Sequence, residues 1–359
     1  MPNNQPFECI LHAPSSFRLG DPITVGFEIR NTSSEDYCLL TWDTPLYGDA
    51  LNFLSVSLEG VVLSYDGRMV NRGDPTDDEY ITLAPGEANS STVDISRLYP
   101  IQVPGEYTAT LAMTLYDVYP GTSPTARSRA AHEPQALEPT SVTFTVRPDD
   151  APRMTLGQTA RLAEQLSRPT EEPPGVEREL FQPILIGGSE TQREETRRAH
   201  AQAIYKVGKA CDQLHYYNPV TNSTYRKWFG NNVVLIPFPS ITCYEWTKSS
   251  YAIIRKVLNY PEFPLLQTYD LTGTGCQPSY IAYTHKDAKT IWLCGLFWPR
   301  PTYGGPDSKF GTLIHEWSHA RCYLTDYEYG QYGCLSLATS EPKKAVMNPD
   351  NYQYFAEFV

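Results

Sequence analysis

The spacing of hydrophobic residues changes near the middle of this chain, and that change restricts what the chain can fold into. In the first half, hydrophobic and polar residues alternate, most clearly in segments 22–29, 105–116 and 141–146. Alternation places every second side chain on one buried face of a strand, and proline–glycine turns separate the segments. Short strands at this spacing predict an all-β, immunoglobulin-like sandwich over residues 1–148.

The second half shows the spacing of helices. Ser189 and Gln192 form a candidate capping box, and hydrophobic residues then recur every three or four positions. Two segments, 278–285 and 290–298, are exceptions that predict the strands of a hairpin. We therefore expect an α+β multidomain protein whose residues 185–359 form a mainly helical domain with a small sheet.

A connector joins the two predicted domains. Residues 149–184 are rich in proline and charge, which predicts an exposed linker with a short helical segment at 154–166. Exposed linkers are also where proteases cut a chain.

Charge and hydropathy narrow the classes of partner. The 359 residues carry a formal net charge of −12, which argues against nucleic acid because phosphate binding needs a basic surface. No apolar run approaches the roughly 18 residues of a membrane helix, so we expect no membrane partner. The N-terminus lacks the basic start and apolar core of a signal peptide. This predicts a chain that stays in the cell, leaves by another route or has been trimmed.

The motif HEWSH at residues 315–319 carries the strongest chemical signal. On a helix, His315 and His319 lie four residues apart on the same face, so both imidazoles can bind one zinc ion. Glu316 then projects beside them as a general base. The pattern therefore predicts hydrolysis that depends on zinc.

Catalytic zinc needs a third protein ligand and an open position for water. Asp326 and Glu328 are the nearest candidates downstream of the motif, and Glu341 and Asp350 are more distant. Spacing alone does not choose between Asp326 and Glu328. The eight cysteines are too few for a disulfide scaffold.

Residues 187–359 resemble the deuterolysin family, the aspzincins, and above all its peptidyl-lysine metalloendopeptidase branch. The resemblance rests on the segments GTLIHEWSHA, DYEYGQYGCLSLAT, KAVMNPDNYQYFAE, WLCGLFWPRP and YRKWFG. The β-rich first half resembles, more weakly, the pro-domain that precedes the catalytic domain in that family. The resemblance implies a zinc metalloendopeptidase with a zincin-like catalytic fold.

The resemblance also assigns roles around the zinc ion. In the family, an aspartate is followed after two residues by Tyr-Gly, and here this pattern begins at Asp326, which is the implied third ligand of one zinc ion. Tyr329 is then the implied donor of a hydrogen bond to the oxyanion. The chain departs from the family just before Asp326, where Leu324-Thr325 replaces Gly-Thr, and the loop that follows His319 is shorter.

Substrate preference is implied by two further positions. The acidic pair that lines the lysine pocket in the lysine-specific branch corresponds to Asp350 and Gln353. A carboxylate pairs with a lysine ammonium group, whereas a glutamine offers only a neutral acceptor. We expect cleavage on the N-terminal side of lysine, with a weaker preference than in the family. From the residues alone, the alternative role of Asp350 is that of a helix N-cap, and the two roles can coexist.

The resemblance implies a disulfide bond between Cys276 and Cys294. All ten lysines follow residue 205, so a lysine-directed enzyme has no cleavage site in its own first half; self-protection and compositional drift both explain this.

Two hypotheses about function stay open. One is an active protease of protein or peptide substrates. The other is a latent zymogen, or a binding or inhibitory assembly, whose N-terminal sandwich contacts and blocks the protease half.

Overall fold

The computed structural model describes residues 6–47, 52–148, 182–236, 240–259 and 267–359. The short helix predicted at 154–166 and most of the predicted linker lie outside the described residues. Among the described residues, no helix is both long enough and apolar enough to cross a bilayer.

The strands come first in the chain and helices dominate its second half. The strands are β1 (Phe7–His12), β2 (Ser16–Arg18), β3 (Thr24–Asn31), β4 (Tyr37–Leu40), β5 (Leu54–Leu58), β6 (Val61–Val62), β7 (Arg68–Arg72), β8 (Tyr80–Leu83), β9 (Ala88–Asp94), β10 (Gly105–Leu111), β11 (Thr114–Leu115), β12 (Val118–Pro120), β13 (Gln135–Ala136), β14 (Ser141–Arg147), β15 (Ile184–Ile186), β16 (Val234–Ile236), β17 (Ile241–Thr242), β18 (Thr268–Asp270), β19 (Tyr280–His285) and β20 (Thr290–Leu293). The α-helices are α1 (Glu190–Tyr216), α2 (Ser223–Phe229), α3 (Cys243–Asn259), α4 (Lys309–Cys322), α5 (Gly330–Ser340), α6 (Pro342–Ala345) and α7 (Pro349–Phe358).

Two sheets of the first half, antiparallel except for the parallel pairing of β2 with β14, share its main core. One sheet has the order β1-β3-β9 and a second has the order β2-β14-β10-β5-β6. Side chains from both sheets enter the same buried cluster, including Val25 and Phe27 from β3 and Tyr107 and Phe144 from β10 and β14. The alternation in the sequence thus corresponds to the inward faces of these sheets. The immunoglobulin-like topology stays a prediction.

The second half contains a mixed five-stranded sheet. Its order is β15-β18-β20-β19-β7, and β19 and β20 form the antiparallel hairpin that the sequence predicts. The implied disulfide is present: Cys276 and Cys294 are joined, with their Cα atoms 5.5 Å apart. This bond ties the segment before β19 to the end of β20.

The last strand of this sheet comes from the first half of the chain. β7 pairs antiparallel with β19, with Val70 opposite Tyr283 and Asn71 opposite Ala282. This pairing was not predicted, because alternation predicts that a strand exists but not which distant strand it joins.

Three helices and the five-stranded sheet pack against α4. The predicted capping box begins α1, since Ser189 Oγ accepts from the amide of Gln192 at 3.2 Å and Gln192 Oε1 accepts from the amide of Ser189 at 2.9 Å. Helices α1, α3 and α7 pack against α4, and β19 lies on another side of it. This arrangement places the HEWSH motif in the interior, close to the sheet edge that β7 completes.

Candidate active site

Helix α4 carries the motif and is buried along almost its whole length. Ser308 caps its first turn, because its Oγ accepts a hydrogen bond from the amide of Gly311 at 3.0 Å. Every residue of the helix except Arg321 is buried. The helix ends at Tyr323, whose left-handed backbone (φ 56°) turns the chain back toward the motif. Polar side chains buried this deeply require partners, so their contacts define the site.

Three potential metal ligands converge on one point beside α4. The Nε2 atoms of His315 and His319 lie 3.1 Å apart. One carboxylate oxygen of Asp326 lies 3.4 Å from Nε2 of His315, and the other lies 3.0 Å from Nε2 of His319. The ligand atoms of the three residues all lie within 4.8 Å of one another. Two imidazole nitrogens and a carboxylate oxygen form a donor set that suits zinc.

The other ring nitrogen of each histidine is held by a hydrogen bond. His319 Nδ1 donates to the carbonyl oxygen of Leu324 at 2.7 Å, which requires a proton on Nδ1. His315 Nδ1 donates to Oδ1 of Asp350, also at 2.7 Å. With protons on both Nδ1 atoms, the two Nε2 atoms present lone pairs to the same point, as metal-binding histidines do. The side chains therefore fit a zinc ion.

The electrostatics of Asp326 agree with a role as an anionic ligand. Burial alone would raise the pKa of its carboxyl group, but His319 and His315 hold that pKa below its ordinary value. Burial would likewise lower the pKa of His319, yet the Asp326 carboxylate raises it to about 9, so a metal ion that binds at Nε2 displaces a proton from that atom. Oδ1 of Asp326 is buried and has no hydrogen-bond partner among the described residues. A buried anionic oxygen without a donor is a place where a cation is favourable.

A buried amide orients the loop that contains Asp326. The backbone amides of Tyr327 and Glu328 donate to Oδ1 of Asn348 at 2.7 and 3.1 Å. Asn348 Nδ2 in turn donates to the carbonyl oxygen of Glu328 at 2.9 Å. The loop held in this way directs Asp326 to the imidazoles and leaves the Glu328 side chain exposed. Sequence reasoning missed Asn348, because an asparagine before proline is an ordinary turn signal.

Glu316 is fully buried beside the three potential ligands. Neither of its carboxylate oxygens has a hydrogen-bond partner among the described residues. Burial raises the pKa of this carboxyl group to about 7, against the opposing effect of His315 and His319. A carboxylate with available lone pairs and a pKa near neutrality can take a proton from water and return it to another atom.

Tyr329 contacts residues from the first half of the chain. Its hydroxyl group donates to the carbonyl oxygen of Val70 at 3.1 Å, and the guanidinium of Arg129 lies 5.4 Å from its ring centroid. Burial raises the pKa of the phenol well above its ordinary value, so the group is a donor at neutral pH. A cavity of about 450 Å³ adjoins it and has walls from both halves, among them Asp43, Met69, Val70, His319, Asp326 and Tyr329.

The carboxylate of Asp350 is engaged by two donors. Its oxygens accept from His315 Nδ1 and from the amide of Gly330, each at 2.7 Å. The N-cap position of α7 belongs to Asn348, so the capping alternative for Asp350 is wrong. Sequence spacing did not reveal the bond to His315, because the two residues are 35 positions apart.

Gln353 lies one turn further along α7 and is also buried. Its Nε2 donates to Glu357 at 3.3 Å, and its Oε1 has no hydrogen-bond partner among the described residues. Glu357 accepts in addition from the amide and hydroxyl groups of Ser308, which caps α4. Gln353 is thus placed against the start of the motif helix. The assignment of Asp350 and Gln353 to a substrate pocket stays a prediction.

Comparisons with known proteins cover both halves of the chain. Residues 216–357 match the model of the aspzincin M35 family, described as lysine-specific metallo-endopeptidase. The extracellular protease of Aeromonas hydrophila is 28% identical over 342 residues, which are 94% of this chain and 88% of that protein. The similarity to this relative therefore includes the β-rich first half.

Two further proteins match about half of this chain. A zinc peptidase of known structure from Grifola frondosa is 32% identical, with 47% of this chain and 96% of that chain covered and a TM-score of 0.40. The peptidyl-Lys metalloendopeptidase of Pleurotus ostreatus is 36% identical over 185 residues, which are 48% of this chain and 95% of the relative. Because this identity extends over nearly the whole of that relative, the chain belongs to the aspzincin family of zinc metalloendopeptidases.

Proposed function

We propose that this enzyme hydrolyses peptide bonds on the N-terminal side of lysine and uses one zinc ion held by His315, His319 and Asp326. The observation that carries the proposal is the convergence of these three ligands beside Glu316, a buried carboxylate without a hydrogen-bond partner among the described residues. The lysine preference is supported by three fungal relatives named peptidyl-Lys metalloendopeptidase.

Each residue of the site has a distinct task in this proposal. The chemistry that a bound zinc ion supplies is a lowered pKa of water, to about 7, and polarisation of the scissile carbonyl group. Glu316 accepts a proton as water attacks the carbonyl carbon, and it returns this proton to the leaving amine. The hydroxyl group of Tyr329 donates a hydrogen bond to the developing oxyanion.

Lysine recognition is assigned to the start of α7. Asp350 and Gln353 lie one turn apart on the same face of the helix. Each oxygen of Asp350 already accepts one hydrogen bond. A carboxylate has about four acceptor sites, so it can also accept from an ammonium group. A single carboxylate beside a neutral amide favours lysine less strongly than two carboxylates would.

The test is a map of cleavage sites. The purified chain is first cut in the 149–184 region with a glutamyl endopeptidase, which is then inhibited. It is next incubated with zinc and a denatured protein. Products identified by mass spectrometry should begin with lysine, and both a chelator and the Glu316→Gln variant should abolish them. Products that begin mainly with other residues would contradict the lysine preference, and retained activity in Glu316→Gln would contradict the mechanism.

We propose further that the chain divides into a sandwich (1–148), a linker (149–184) and a protease domain (185–359), and that the sandwich keeps the protease latent. The pairing of β7 with β19 and the bond from Tyr329 to Val70 favour this second function. Both contacts involve residues, β19 and Tyr329, that a substrate would use in this proposal. The absence of lysine from the first 205 residues agrees with it, since such a domain offers this enzyme no cleavage site.

Latency is tested by comparing the intact and the linker-cut chain on a short lysine-containing peptide. The intact chain should be almost inactive and the cut chain active. Equal activity of the two forms would show that the first half does not block the site.

A further inference from the structure

β7 occupies the edge of the sheet that lies nearest to the motif helix. Without β7, the outer edge of β19 would present unpaired backbone groups beside α4. An exposed edge of this kind binds extended peptides by adding them as a further strand. β7 therefore stands where an extended substrate could pair.

One carbonyl group of β7 meets the proposed catalytic machinery. The hydroxyl group of Tyr329 donates to the carbonyl oxygen of Val70 at 3.1 Å. Tyr329 adjoins Asp326 and, together with His319, lines the cavity that Val70 also borders. The carbonyl of the Val70–Asn71 peptide bond thus accepts a hydrogen bond from Tyr329, the residue that we propose as donor to the substrate oxyanion.

The side chain after this carbonyl faces the helices. Residues directly opposite on paired strands share a face of the sheet. Asn71 lies opposite Ala282, which belongs to the same core as Leu313 and Trp317 of α4. Val70 lies opposite Tyr283 and packs on the other face of the sheet. Asn71 is only 3% exposed, so its side chain is enclosed on the side where α4 lies.

The register of β7 is secured next to Asn71. Arg72 is buried and pairs with Asp43 at 3.4 Å. Its guanidinium carbon lies 4.9 to 5.0 Å from the ring centroids of Trp42, Tyr47 and Tyr280. A cation enclosed by three rings and a carboxylate resists sliding of the strand, because any shift would leave the charge without partners.

We propose that β7 is an internal substrate mimic, in which Val70 takes the position before the cut and Asn71 the position after it. The proposal rests on the proposed function of the same site. The Val70–Asn71 bond lies in the register of a scissile bond but is not cut, because asparagine supplies no cation to the pocket that Asp350 serves. Supplying that cation should convert the mimic into a substrate.

The test is the variant Asn71→Lys in the full-length chain, loaded with zinc. We expect hydrolysis of the bond between Val70 and the substituted residue. The hydroxyl group of water joins the carbonyl carbon of Val70, and the proton joins the new amine. The products are fragments 1–70 and 71–359, identified by mass spectrometry. The conversion rate should not depend on protein concentration, because enzyme and substrate are one chain.

Two matched variants distinguish cleavage at this register of β7 from a general rise in cleavage of any substituted chain. Asn71→Gln has a similar size and no charge, so it should stay intact. Met69→Lys puts a lysine on the same face of β7 two residues earlier, and it should also stay intact because its preceding bond is out of register. Chelation, or addition of Glu316→Gln to the Asn71→Lys variant, should prevent cleavage.

The outcomes distinguish this inference from the proposed function. No cleavage in Asn71→Lys, while the same sample cuts a lysine peptide after the linker is opened, overturns the mimic and leaves the proposed function standing. Cleavage in Met69→Lys but not in Asn71→Lys overturns the register. No cleavage of a lysine peptide by any preparation overturns both. Should Asn71→Lys fail to fold, a peptide of residues 66–74 must inhibit the linker-cut wild type more strongly than its scrambled sequence, and equal inhibition overturns the mimic.

Discussion

His315 and Asp350 are joined by a hydrogen bond of 2.7 Å between Nδ1 and Oδ1. The second oxygen of Asp350 accepts from the amide of Gly330, at the end of the loop that carries Asp326. One carboxylate thus connects the motif helix, the loop that carries Asp326 and the C-terminal helix. A hydrogen-bond partner that does not itself bind the metal fixes the tautomer and the orientation of a metal-binding imidazole. We infer that Asp350 is a positioning residue for the metal centre, in addition to its proposed place in the lysine pocket.

Asp350→Asn should weaken zinc binding. An amide can no longer hold His315 Nδ1–H as a charged acceptor does, and loss of such a partner typically costs about 10- to 100-fold in metal affinity. Competition against a chromophoric chelator measures this change. The exposed Asp212→Asn serves as the control and should bind zinc like the wild type. Unchanged zinc affinity together with a lost lysine preference would assign Asp350 to the pocket alone.

Glu316→Gln should lose hydrolysis and keep its zinc. General-base catalysis contributes about 100- to 10,000-fold, so kcat should fall by at least about 100-fold. Zinc content by atomic spectroscopy should stay at one ion per chain, because the ligands are untouched. A variant that loses its zinc would show that Glu316 supports the site rather than the proton transfer.

The two acids of the ligand loop should respond differently to substitution. Asp326→Asn removes an anionic ligand, so zinc affinity should fall by more than the roughly 10- to 100-fold that loss of an outer partner costs. Glu328→Gln changes an exposed side chain of the same loop and should retain zinc. The opposite result would move the third ligand to Glu328.

Asn348→Ala should loosen the ligand loop. The variant leaves the amides of Tyr327 and Glu328 without their acceptor, at a cost of about 1–3 kcal/mol for each buried group left unpaired. We expect weaker zinc binding and a lower thermal midpoint, with most of the midpoint recovered by excess zinc because the metal holds the same loop. A midpoint that zinc does not raise would indicate a purely structural role.

Ser279→Ala should release part of the latency. Ser279 precedes β19, and its hydroxyl group donates to the buried carboxylate of Glu79 in the first half. Loss of this donor costs about 1–3 kcal/mol, which corresponds to about 5- to 150-fold more of the open form. Activity of the intact chain on a lysine peptide should rise, whereas Ser141→Ala, an exposed hydroxyl of the same half, should change nothing. If the intact Ser279→Ala chain were as inactive as the wild type, the bond from Ser279 to Glu79 would not contribute to latency.

Local patterns predicted the elements well. The capping box at Ser189 and Gln192 is present, and the alternating residues Val25, Phe27 and Ile29 of β3 are fully buried. The hairpin of β19 and β20 and its disulfide are present as well. These features depend on neighbours within a few residues or on one family motif, so they can be read without knowledge of the chain's path.

Contacts between residues far apart in the sequence could not be predicted in the same way. The residues alone left Asp326 and Glu328 as equal candidates, because both are carboxylates close behind the motif. The difference between them lies in Asn348, which turns the loop through bonds to its backbone. Nothing in the local pattern of Asn348 indicates that role.

The spacing of HEWSH was enough to predict that His315 and His319 share one face of a helix, since residues four apart on an α-helix lie on the same side whatever surrounds them. The hydrogen bond from His315 to Asp350 and the pairing of β7 with β19, which brings the Val70 carbonyl to Tyr329, could be seen only once the chain was folded. The reason is physical: helical hydrogen bonds join residues four apart, whereas a strand pairing or a buried ion contact joins whichever distant segments the packed core brings together.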